Sequence, residues 1–117
     1  MVVVVDDEES VREAVQRLLK AAGMTVSSFA SAEDFLKSDQ LNTARCLVAD
    51  IRMPGMSGLD LLAELNRQHL PIPTIFITAH GDENLRMQAM RAGAVKFLPK
   101  PVDGASMLAS VQAALEF

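Results

Sequence analysis

The sequence predicts an α/β fold, a doubly wound parallel sheet of five strands with helices on both faces. Three observations carry this. Val2 to Val5 is a β-branched run without alternation, which suits a strand buried on both sides. Four more short β-rich runs follow it. Each is separated from the next by an amphipathic helical pattern. Strict strand–helix alternation implies parallel strands joined by right-handed crossovers.

The elements read in order along the chain. After the first strand, Val11, Val15, Leu18, Leu19 and Ala22 recur at helical spacing, and Gly23 stops the helix. Thr25 to Phe29 alternates loosely and reads as the second strand. Ser31 to Asp34 has the S-x-x-D form of a helix start, ahead of Phe35 and Leu36. Cys46 to Ala49 is an apolar run that ends in Asp50. Met53-Pro54-Gly55-Met56-Ser57-Gly58 reads as a turn, and Leu59, Leu62, Ala63 and Leu65 continue as a helix. Thr74 to Ile77 is a fourth strand ending in Thr78. Leu85, Ala89 and Ala92 give a helical face closed by Gly93. Val95 to Leu98 is the last strand, and Met107, Leu108, Val111, Ala114 and Leu115 form the last helix.

A length of 117 residues fits one domain, taken as 1–117. Half of the residues are hydrophobic, enough to build a core without staples. Eleven basic against fifteen acidic residues give a net charge of −4, which argues against gripping nucleic acid or an anionic membrane directly. Cys46 is the single cysteine, so no intrachain disulfide can form, which fits a reducing, cytoplasmic setting. No apolar stretch is long enough for a membrane span, and no basic region follows Met1 as in a signal peptide.

In such sheets the working residues collect at the carboxyl ends of the strands. The first strand ends in Asp6 and Asp7, the third in Asp50, the fourth in Thr78, and the fifth just before Lys100. If these ends share one edge, three carboxylates, a hydroxyl and an ammonium converge. Crowded carboxylates repel unless a cation joins them. Oxygen ligands alone favour a hard ion, Mg²⁺ first and Mn²⁺ as a substitute. Lys100 and Thr78 add a positive charge and a donor. The set suits a phosphoryl group in transfer. Taken alone, Asp6 and Asp7 could merely charge the start of the first helix. Glu8 and Glu9 read as helix-start charges.

Together these residues resemble the receiver domain of a bacterial two-component response regulator. The resemblance covers essentially the whole chain. It rests on Val4-Val5-Asp6-Asp7-Glu8, the run from Asp50 to Gly58, Thr78-Ala79 and Lys100-Pro101. The run Ser28 to Leu36 and Asp50-Ile51-Arg52-Met53-Pro54-Gly55-Met56 point to the FixJ-type branch.

The resemblance implies a flavodoxin-like three-layer sandwich with strand order 2-1-3-4-5. It implies Asp50 as the phosphoacceptor from a sensor histidine kinase. Asp7 would bind Mg²⁺ directly, Asp6 mostly through water, and Arg52 through its backbone carbonyl. Thr78 and Lys100 would hold phosphoryl oxygens. Phe97 would be the switch aromatic that follows Thr78, and the Lys100–Pro101 bond would be cis. The face of the fourth helix, fifth strand and fifth helix would then change, with Met87, Met90, Arg91 and Lys96 as candidates on it. A phosphorylation-dependent homodimer and a DNA-binding output domain are expected if the full-length chain is longer. Arg52 and His80, two positions past Asp50 and Thr78, are candidates for tuning the phosphoryl lifetime.

Three rivals remain at this point. A haloacid-dehalogenase-type phosphatase needs a second acid two residues after its aspartyl nucleophile, where Arg52 stands. A flavodoxin-like cofactor binder needs a phosphate-cradling loop after the first strand, where Asp6 to Glu9 repel phosphate. A stand-alone receiver or a pseudo-receiver, acting only as a protein-binding module, would keep the fold.

Overall fold

A computed structural model describes residues 1–79 and 83–116. The strands are β1 (Val2–Val5), β2 (Val26–Phe29), β3 (Cys46–Asp50), β4 (Thr74–Thr78) and β5 (Lys96–Pro99). The helices are α1 (Glu9–Ala21), α2 (Ala32–Lys37), α3 (Gly58–Arg67), α4 (Glu83–Arg91) and α5 (Gly104–Leu115). All pairings are parallel, in the order β2-β1-β3-β4-β5. The expected doubly wound, flavodoxin-like sheet is therefore present.

Side-chain alternation divides the core in two. Val3, Val5, Leu47, Ala49 and Phe76 face one layer, where Phe35, Leu61, Leu65 and Ala89 of α2, α3 and α4 cover them. Val2, Val4, Val48, Ile75 and Ile77 face the other, under Val15 and Leu19 of α1 and Met107 and Val111 of α5. This double coverage is why β1, β3 and β4 are buried along their whole length and read as unbroken apolar runs.

Local chemistry fixes the helix starts. Ser31 Oγ accepts from Asp34 N at 3.1 Å at the head of α2. Ser57 and Asp60 form a reciprocal capping box at the head of α3. The turn before α3 uses Gly55 at φ +72°, a left-handed backbone that glycine adopts without a Cβ clash.

Two details depart from the sequence reading. A short 3₁₀ turn at Asp39–Asn42, opened by Ser38, connects α2 to β3. Val95 lies before β5 rather than in it and is 48% exposed. Its β-branched side chain reads as strand, but β5 is the sheet edge and begins one residue later, at the exposed Lys96.

Candidate functional site

Four strand ends meet at the carboxyl edge of the sheet. β1 and β3 are adjacent, so Asp6 and Asp50 leave neighbouring strands side by side. One carboxylate oxygen each from Asp6, Asp7 and Asp50 lies within 4.8 Å of the others. Asp6 and Asp50 are buried, whereas Asp7 is exposed. The backbone holds these acids in place. Asp6 Oδ1 accepts from Glu8 N at 2.9 Å, and the Asp6 carbonyl accepts from Arg12 Nη1 at 2.7 Å. Asp50 Oδ1 accepts from Arg52 N at 3.0 Å.

Lys100 joins them from β5. Its backbone N donates to the Thr78 carbonyl at 2.6 Å, and the Lys100–Pro101 bond is cis. Its ammonium donates to Asp50 Oδ2 and to Glu8 Oε1, both at 2.9 Å, and lies 3.3 Å from Asp6 Oδ2. Burial alone would lower the Lys100 pKa. The hydrogen bonds to Glu8 and Asp50 and the nearby carboxylate charges outweigh it and raise the pKa above the usual lysine range. For Asp6, burial is the largest influence and raises the pKa. Asp50's charge adds to that rise, while the Glu8 N–H and Lys100 oppose it.

Asp6 Oδ2 is buried and accepts no well-formed hydrogen bond among the described residues, although it is in ion-pair range of Lys100. A buried carboxylate oxygen left short of a partner, beside two more carboxylates, fits a hard divalent ion with oxygen ligands. The donor set and geometry therefore suit Mg²⁺.

Thr78 is buried at the end of β4, next to Pro99 of β5. Phe97 is half-buried, stands opposite Phe76 and packs against the α2–α3–α4 core layer. Arg52 is exposed in the loop after β3. His80 lies outside the described residues.

The structure brings three more residues to the site. Glu8 is the N-cap residue of α1, but its side chain makes no cap bond and reaches Lys100 instead. Its place at the helix start is as read from the sequence, and the contact to Lys100 is additional to that reading. Glu33 of α2 reaches the loop after β3, where its Oε2 accepts from Met56 N at 3.3 Å. Gly58 packs so closely under Asp50 that its missing Cβ decides the fit.

This sheet order, with acids ending β1 and β3 and a lysine ending β5, is that of a receiver-type flavodoxin-like fold. Residues 2–112 match the response regulator receiver domain family. The chain is 44% identical over 116 residues to nodulation protein W of Bradyrhizobium diazoefficiens, covering 99% of this chain and 51% of that protein. It is 44% identical over 112 residues to the transcriptional regulatory protein FixJ of Azorhizobium caulinodans, covering 96% and 53%. The crystal structure of FixJ-N superposes with a TM-score of 0.88 at 41% identity, covering 98% of this chain and 92% of that one. The chain belongs to the response regulator receiver domain family of two-component systems, in its FixJ-type branch. It spans about half the length of these two curated relatives. Among the described residues no helix is long and apolar enough to cross a membrane.

Proposed function

We propose that residues 1–117 form one receiver domain, with Asp50 as phosphoacceptor for a sensor histidine kinase in the cytoplasm. The observation that carries this is the Lys100 ammonium 2.9 Å from Asp50 Oδ2, beside three carboxylates clustered within 4.8 Å. In the reaction an Asp50 oxygen attacks phosphorus. The P–N bond to the kinase's phosphohistidine breaks, and its electron pair stays on the imidazole nitrogen, which takes up a proton. An acyl phosphate remains on Asp50. Hydrolysis reverses the state: a water oxygen attacks phosphorus, the P–O bond to Asp50 breaks, and carboxylate and phosphate leave.

Each residue has a separate part. The Arg52 N–H keeps the Asp50 carboxylate in one orientation. Lys100 and Thr78 hold phosphoryl oxygens. Asp7, Asp50 and the Arg52 carbonyl would hold Mg²⁺ directly and Asp6 mostly through water, with Mn²⁺ as a substitute. Bound there, the ion would neutralise the carboxylates and the charge that builds on the phosphoryl oxygens. Arg52 and His80 screen the acyl phosphate from water and set its lifetime.

The readout follows from charge. A phosphoryl group brings roughly −1.5 to −2 charge. Thr78 moves toward it, and Phe97 turns from its half-buried position into the space left behind. The surface of α4, β5 and α5 changes with it, shifting a two-state balance. Met87, Met90 and Val95 are exposed at 44%, 41% and 48%, and Arg91 and Lys96 border them. That surface serves a phosphorylation-dependent homodimer or contact with a DNA-binding output domain. The receiver itself touches neither DNA nor membrane.

The test is intact mass after incubation with acetyl phosphate and Mg²⁺. Wild type should gain one phosphoryl group, while Asp50→Asn or added chelator should abolish the gain. A wild type that gains nothing from acetyl phosphate or from its kinase would make this a pseudo-receiver.

A further inference from the structure

Glu8 competes for Lys100. An ammonium has three N–H donors, and among the described residues three carboxylates, Asp6, Glu8 and Asp50, surround this one. The Glu8 contact is as short as the Asp50 contact, at 2.9 Å. Glu8 is not there by chance of a long side chain. Its backbone N–H is fixed by Asp6 Oδ1, and its side chain leaves the cap of α1 unserved. Lys100 is 11% exposed and Glu8 56%, so this contact pulls the ammonium toward the rim of the site.

We propose that Glu8 is a positioning residue that clamps Lys100 in a resting pose. An incoming phosphoryl group must draw the ammonium inward against this clamp. The inference rests on the receiver reading above. A phosphoryl oxygen needs a Lys100 N–H. Asp50 frees its own contact on becoming an acyl phosphate, and a bound cation engages Asp6. Among the described residues, Glu8 is then the carboxylate that keeps competing for the ammonium, and its charge opposes the incoming dianion. Release from Glu8 thus sets part of the barrier to phosphorylation and part of the stability of the phosphorylated state.

Two variants separate the clamp from simple charge. Glu8→Gln removes the charge. Glu8→Asp keeps it but is one methylene too short for the 2.9 Å contact. Both should speed phosphorylation by subsaturating acetyl phosphate, at fixed saturating Mg²⁺, by roughly two- to fivefold, the scale of a partly exposed pair. The gain should shrink as ionic strength rises. The second readout needs no phosphodonor. The Lys100 ammonium ¹⁵N signal should exchange with water slowly in wild type and faster in both variants.

Acceleration in Glu8→Gln alone would mean plain charge and overturn the clamp. Unchanged or slower phosphorylation in both would overturn it as well, as would an ammonium signal indifferent to Glu8. If wild type gains no phosphoryl group, the receiver reading fails. The ammonium signal still decides whether Glu8 holds Lys100.

Discussion

Gly58 is the residue whose replacement should couple the core most directly to the chemistry. An alanine Cβ there would lie 2.5 Å from the Asp50 carbonyl oxygen and 2.8 Å from both Ile51 Cα and Phe76 Cε1. Two of these are backbone atoms, and they belong to the strand end that carries Asp50. The Gly58 N–H also donates to the Ile51 carbonyl at 3.0 Å, so helix and strand cannot separate cheaply. Overpacking of this kind costs about 1–3 kcal/mol. Alanine's better helix propensity returns at most ~1 kcal/mol, and less at a helix start. The net loss lies between about 0.5 and 2.5 kcal/mol when roughly half of that return is realised, or roughly 2–15 °C in Tm for a domain of this size.

Urea unfolding should show a lower midpoint with an unchanged slope. Phosphorylation by acetyl phosphate should slow as well, because Asp50 is pushed from its place beside Lys100. Gly23→Ala is the control. Gly23 has φ +87° and nothing within 4 Å of its missing Cβ, so its substitution costs only backbone strain of ~1–2 kcal/mol and leaves phosphorylation alone. A Gly58→Ala protein as stable and as reactive as wild type would refute the packing argument.

Asp6→Asn should raise the metal-free Tm at pH 7, since burial and Asp50 disfavour the charged carboxylate. The folded state holds the Asp6 proton more tightly than the unfolded chain does. Asp6 therefore adds stability as pH falls through its raised folded pKa, and that contribution is complete below 3.8, its unfolded value. Saturating Mg²⁺ at a hundred times its Kd should add about 2.7 kcal/mol to wild type and much less to Asp6→Asn. Equal Mg²⁺ shifts in both proteins would remove Asp6 from the ion's surroundings. Glu33→Ala should cost about 0.5–1.5 kcal/mol by removing the acceptor for Met56 N, and weaken Mg²⁺ binding through the loop that carries Arg52. Glu33→Gln keeps an acceptor and should recover most of both. A glutamine variant as impaired as the alanine would show that charge, not the hydrogen bond, matters there.

The sheet was legible because each inner strand is buried on both faces. Val2–Val5, Cys46–Asp50 and Thr74–Thr78 read as apolar runs cut off by polar residues, and those cut-offs are the site. Asp6, Asp7, Asp50 and Lys100 could be placed on one edge from parallel topology alone. Edge elements were less legible. Val95 reads as strand but lies outside β5, and the 3₁₀ turn at Asp39–Asn42 has no periodic signal. Side-chain partners across the fold were not legible at all. Glu8 and Glu33 both sit at helix starts, where an acid has a local explanation. The contacts that matter lie 92 residues away at Lys100 and 23 away at Met56. A local pattern that suffices gives no hint of a distant partner.

The place of β1 in the sheet has a consequence for synthesis. β1 lies between β2 and β3, and four of its residues are valine. Cys46 follows Val5 by about 40 residues, so at ~5–20 residues per second the strand waits roughly 2–8 s for its second neighbour. A bare tetravaline ribbon with a free edge is a template for aggregation during that wait. The four acids that follow it act as gatekeepers, putting like charge against any second ribbon that tries to pair. Asp6 and Asp7, which end up in the carboxylate cluster at the sheet's edge, thus guard the nascent chain first.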